Sequence, residues 1–141
     1  MSEKYILTMD RETAQIVRRA CEFYSRAVCG QIDEILLEAI NVWSEREMDD
    51  TYFAIREQLE DSLKRVKALL FPELPADAHY GVGHHRNADL AWNTNQVLRH
   101  GIAWHDNPKG GYSVDYDKPV SCSGTALPSL VIEEKGPERS E

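Results

Sequence analysis

N-A-D-L-A-W-N-T-N-Q-V-L-R-H-G-I-A-W-H, from Asn87 to His105, is the stretch on which the fold turns. Leu90, Thr94, Val97, Leu98 and Ile102 recur at helical spacing, and Asn87 can cap the start, so a helix to about His105 is expected with these side chains facing inward. Asn93, Gln96 and His100 fall three and four residues apart and share a second, polar face, with Arg99 beside it. Those groups can hydrogen-bond a base or ribose; on a merely wet helix they need no partner.

Upstream, Asp10 offers a cap to a helix carrying Ile16, Ala20, Phe23, Tyr24 and Ala27. Gly30 weakens or kinks it. Ile32, Ile35, Leu36, Ala39, Ile40 and Trp43 then make the cleanest apolar stripe in the chain. After a solvated turn over residues 44–50, a further helix from Tyr52 places Ile55, Leu59, Leu63, Val66 and Leu70 on one face. Pro72 and Pro75 end it, because proline cannot donate to the helical ladder.

Short strands are expected at both ends of the chain. Tyr5, Leu7 and Met9 alternate with Ile6 and Thr8; Tyr112, Val114 and Tyr116 alternate with polar residues and lead to Pro119; a third short strand fits Leu130 to Ile132. The expectation is an α+β fold, mainly helical, with long antiparallel helices and a small antiparallel sheet of N-terminal and C-terminal strands. It forms a single domain over residues 1–132, followed by a charged, disordered tail at 133–141.

The chain has 141 residues, enough for one domain, and its 24 acidic against 16 basic residues give a net charge of -8. That sign disfavours polymeric nucleic acid and leaves open a small anion in a locally basic pocket. No basic leader or apolar span is evident, so a soluble, cytoplasmic protein without membrane association is expected. Cys21, Cys29 and Cys122 are odd in number and read as small buried hydrophobes of a reducing compartment.

Composition changes after Pro75, where all five histidines and seven of eight glycines fall. In A-H-Y-G-V-G-H-H-R-N, Ala78 to Asn87, Gly81 and Gly83 let backbone approach a ligand, Tyr80 offers a stacking face and Arg86 a planar cation for phosphate. The same loop also reads as an ordinary glycine-rich turn. His79, His84, His85, His100 and His105 invite a metal reading, but no H-x-H or H-E-x-x-H spacing supports it, and no metal or cofactor is expected. Nucleophile-elbow, Walker and dinucleotide motifs are missing from the sequence, which disfavours a conventional nucleotide-processing enzyme. The candidate ligand-binding set is Tyr80, Gly81, Gly83, Arg86, Asn93, Arg99 and His100.

F-Y-S-R-A-V-C-G-Q-I-D-E-I (Phe23 to Ile35), Q-V-L-R-H-G-I-A-W-H-D-N-P-K-G-G (Gln96 to Gly111) and P-x-x-x-S-G-x-x-L-P (Pro119 to Pro128) together resemble small bacteriophage proteins, specifically the first Thoeris anti-defence family of nucleotide sponges. The resemblance covers about residues 5–132. It implies a non-catalytic protein that sequesters cyclic ADP-ribose-type immune signals in the host bacterial cytoplasm. It also implies dimers building larger oligomers, and in some members cyclic di- or trinucleotides at a separate site. By position in the glycine loop and following helix, Tyr80, Arg86, Asn93 and Arg99 are the matching residues. An alternative expectation is a phage adaptor or regulatory protein working through protein contacts. Because the stripe from Gln31 to Trp43 is wide, self-association through it is expected.

Overall fold

A computed structural model describes residues 3–36, 38, 49–122 and 124–134. Among the described residues three long helices form: α1 at Arg11–Val28, α2 at Asp50–Leu70 and α3 at Arg86–Asp106, with a 3-10 turn at Val114–Tyr116. Residues 34–36 add a short helical turn. Asp10 caps α1 by accepting from the Thr13 N–H at 2.8 Å, and Asp49 caps α2 by accepting from the Tyr52 N–H at 2.9 Å. Each aspartate satisfies one of the amide donors that a helix start leaves without an internal partner.

The core is the α1–α3 pair. The two helices run antiparallel: Arg11 at the start of α1 forks onto Asp106 at the end of α3, while Arg18 reaches Asn95 in its middle. At the far end Tyr80 N–H donates to Cys29 O at 2.8 Å and ties the glycine loop to the end of α1. The fully buried side chains with the largest volume are two amides, Asn93 and Asn95, each 0% exposed. Buried apolar groups are few and mostly small, among them Ala88, Leu98, Cys29 and Cys122.

The expected sheet does not form. Among the described residues there is no strand. Tyr5, Ile6 and Leu7 lie in an extended but exposed segment, since a period-two pattern makes a strand only where a neighbouring backbone completes the ladder. Around Val114 the Ser113 hydroxyl accepts from the Asp115 N–H at 3.3 Å and closes a 3-10 turn in place of an edge strand. Leu130 to Ile132 is extended without a strand partner and lies along α3 at Gly101. A Cβ on Gly101 would stand 2.2 Å from Leu130 Cδ2, so only glycine admits this approach as it stands.

The inward face of α3 also differs from the expectation. Leu98 is buried, yet Leu90 is exposed, whereas Asp89, Asn93, Asn95 and Gln96 are buried. The reason is the segment that covers this helix. Gln96 pairs reciprocally with the Val120 backbone, donating from Nε2 to its carbonyl at 3.0 Å and accepting its N–H on Oε1 at 3.1 Å. Asn93 accepts the Cys122 N–H at 3.0 Å. Val120 and Cys122 thus obtain from side-chain amides the backbone partners that a sheet would have given them, and the polar face turns inward to supply them. The α3 cap position is His85, not Asn87, and His85 makes no side-chain capping bond.

Of the apolar stripe after Gly30, Ile32 and Leu36 are buried and Ile35 is exposed; Ala39, Ile40 and Trp43 lie outside the described residues, as does the tail from residue 135. Helix α2 contributes Leu63, Lys64 and Lys67 to a cavity with residues 31–36 and 76–79 and leaves Ile55, Leu59, Val66 and Leu70 exposed. No helix among the described residues is long and apolar enough to cross a membrane.

Candidate functional site

Helix α1 carries Arg18, Arg19, Glu22 and Arg26 at spacings that bring all four side chains to one face. Glu22 accepts from Arg19 at 2.9 Å, from Arg26 at 3.2 Å and from Arg18 at 3.4 Å. One carboxylate therefore serves three guanidiniums. Arg19 also pairs with Glu38, and Arg26 donates to Gln31 Oε1 at 2.8 Å.

Across the helix interface stands Trp92. The Arg26 guanidinium lies 5.4 Å from its ring centroid, and Arg99, two turns further along α3, lies 5.7 Å from it. Both distances fall within cation–π range. Arg99 has a loose second partner in Asp115 at 3.8 Å. Arg18 donates at 3.3 Å to Asn95 Oδ1, while the Asn95 Nδ2 of the same buried amide has no partner among the described residues. An unmet amide donor in a buried position costs about 1 to 3 kcal/mol, and Asn95, 0% exposed, carries that cost inside the helix interface.

The four arginines Arg18, Arg19, Arg26 and Arg99 face the three carboxylates Glu22, Glu38 and Asp115, leaving a local excess of positive charge in a chain of net charge -8. Guanidinium groups are planar, permanently charged and weakly hydrated, which suits bidentate phosphate recognition in a partly buried cleft. The indole they lie over becomes a stacking surface for a base only when one of them swings aside onto a phosphate.

Of the residues singled out from sequence, Arg99 belongs to this cluster. Asn93 does not face solvent: its amide is consumed by Thr125 and Cys122. His100 packs edge-on against Trp104 at 6.3 Å, and its Nδ1 is buried without a partner among the described residues. Tyr80 is stacked on His84 at 3.5 Å with the rings 6° from parallel, and its hydroxyl donates to Glu73 at 2.6 Å. That bond holds the Glu73 carboxyl below the usual range and pushes the Tyr80 phenol up. One ring face of Tyr80 is thus already occupied. Gly83, at φ +92, adopts a backbone conformation that side-chain-bearing residues rarely take, and its N–H donates to both Asp89 oxygens at 3.1 and 3.2 Å rather than to a ligand. Gly81 and Arg86 are exposed.

Trp92, Arg26, Arg18 and Asn95 escaped the sequence reading. Trp92 and Arg99 were legible as a pair seven residues apart on one helical face; the α1 arginines became neighbours only through the antiparallel packing. Burial raises the Cys29 and Cys122 thiols above their ordinary value. No group of three or more His, Cys, Asp or Glu side chains among the described residues could hold a metal ion. Comparison with protein-family models, curated proteins and solved structures returned no match.

Proposed function

We propose that this protein is a non-catalytic binder that captures cyclic ADP-ribose-type nucleotides, with cyclic oligonucleotides as related ligands, and so withholds an immune signal in the cytoplasm of a phage-infected bacterium. The observation that carries the reading is Trp92 with the guanidiniums of both Arg26 and Arg99 over its ring. A diphosphate draws the two guanidiniums off the indole and bridges them, and a purine stacks on the ring face so freed. Guanidinium and indole groups hold such a ligand without exchanging protons with it, which suits retention rather than turnover.

Nanomolar capture requires about 12 kcal/mol. Two or three charge-assisted hydrogen bonds at roughly 1.5 to 3 kcal/mol each, with base stacking at about 1 to 3 kcal/mol, bring that within reach when the groups are already positioned. The exposed row Ile55, Leu59, Val66 and Leu70 on α2 supports a homodimer or larger homo-oligomer. It equally favours the second reading, an adaptor that docks on another protein. Calorimetry with cyclic ADP-ribose isomers, followed by chromatography of the nucleotide released on heating, separates these: the sponge binds tightly and returns the ligand unchanged, and the adaptor does not bind it.

A further inference from the structure

A cavity of about 500 Å³ lies between α2, residues 31–36 and the loop at 76–79, away from Trp92. Its apolar wall is formed by Ile32, Leu36 and Leu63. Lys67 enters it from the last turns of α2 and is 9% exposed. The ammonium donates to Ala76 O at 3.0 Å and to Ala78 O, both on the loop that closes the cavity. An ammonium has three protons, and two carbonyls account for two of them. Carbonyls orient a buried cation but do not neutralise it, and buried charge is costly without a counter-ion.

The remaining charges set what the counter-ion can be. Arg56 is engaged by Glu60 at 3.2 Å, one turn along α2. Beyond that pair, Lys64, Asp33 and Asp77 also line the cavity, and neither aspartate makes an ion pair with Lys67, whose partners are the two carbonyls. A ligand with two or more negative charges would meet the two aspartates with no surplus of positive charge, whereas a single negative charge needs only the Lys67 ammonium. The volume falls in the range of small-molecule pockets, and one wall is hydrocarbon.

We propose that this cavity is a second ligand site, for an amphipathic monocarboxylate whose head group seats on Lys67 Nζ and whose apolar body lies on Ile32, Leu36 and Leu63. The site differs from the Trp92 cluster in ligand chemistry and meets it only at Gln31, which accepts from Arg26 at 2.8 Å, so it stands whether or not that cluster holds a nucleotide.

The test is calorimetry on the full chain with decanoate, decan-1-ol and adenosine monophosphate. Decanoate binds with one site per chain, decan-1-ol binds at least tenfold more weakly, and binding of adenosine monophosphate is unaffected by saturating decanoate. Lys67→Met keeps the hydrocarbon stem and removes the charge; decanoate affinity then falls at least tenfold. Because Lys67 also braces the loop, Leu63→Trp provides an independent variant that fills the cavity and leaves the ammonium in place, and it too abolishes decanoate binding. Arg99→Gln, on α3 and outside the cavity lining, leaves decanoate affinity unchanged. Equal affinity for decanoate and decan-1-ol, undiminished decanoate binding in Leu63→Trp, or no decanoate binding by the wild-type chain overturns the proposal.

Discussion

Asn93 Nδ2 donates to Thr125 Oγ1 at 2.5 Å, across 32 residues of chain and with both side chains buried. The Thr125 hydroxyl in turn donates to Cys122 O at 2.6 Å, while Asn93 Oδ1 accepts the Cys122 N–H. The amide therefore satisfies a hydroxyl and a backbone donor together and fastens Cys122 and Thr125 to α3.

Asn93→Ala leaves the Cys122 amide and the Thr125 hydroxyl without this partner. At about 1 to 3 kcal/mol for each buried polar group left unmet, we expect a loss of about 2 to 4 kcal/mol in urea unfolding. Thr125→Val alone costs less, and the double variant is less destabilised than the sum, which a double-mutant cycle reads directly. Additive losses would show that the pair does not act as a unit.

At Gly101 two effects oppose each other. Alanine favours the helix by roughly 0.5 to 1 kcal/mol, yet its Cβ would meet Leu130 Cδ2 at 2.2 Å. Leu130 is a flexible side chain and can give way, so we expect Gly101→Ala to release residues 130–132 with global stability changed by less than about 1 kcal/mol. Limited proteolysis reads this as faster cleavage near residue 130.

Acid should loosen the ends of the α1–α3 pair. The Arg11 guanidinium holds the Asp106 carboxyl below its usual range through hydrogen bonds, as Tyr80 does for Glu73. A carboxyl whose folded pKa is depressed binds its proton more readily when unfolded. Its stabilisation is present above the unfolded value near 4 and is lost as pH falls through the folded one. Unfolding midpoints should therefore drop below about pH 4, and less steeply in Asp106→Asn, which has no such carboxyl to protonate.

The exposed row on α2 predicts assembly. Light scattering at tens of micromolar should give a multiple of the 16.1 kDa chain mass. Leu59→Asp, which places a charge within that row, should return the monomer. A monomeric wild-type chain would remove the homo-oligomer from the account.

The helices were legible because Asp10, the run Ile55 to Leu70 and the prolines at 72 and 75 each act locally, through caps, periodicity and steric exclusion. The sheet was misread because strand formation is not local: Tyr5 to Met9 alternates correctly but lacks a neighbouring backbone. The orientation of α3 was misread for a related reason. Asn93 and Gln96 look like a wet surface in isolation, and only residues 120–125, some 25 to 30 positions away, make them interior. Arg99 was found because its residue type is chemically suggestive. Arg26 was not, since among ordinary helix-surface ion pairs nothing marks it until α3 brings Trp92 against it.

The central claim is that Trp92, flanked by Arg26 and Arg99, holds a nucleotide. The most direct measurement is calorimetric titration of cyclic ADP-ribose isomers into the wild-type chain and into Trp92→Leu, which retains apolar bulk and loses the stacking face. The account predicts tight binding by the wild-type chain, intact ligand on recovery, and affinity weakened by about 1 to 3 kcal/mol in Trp92→Leu. Undiminished affinity in the variant, or no heat of binding to the wild-type protein, would contradict it.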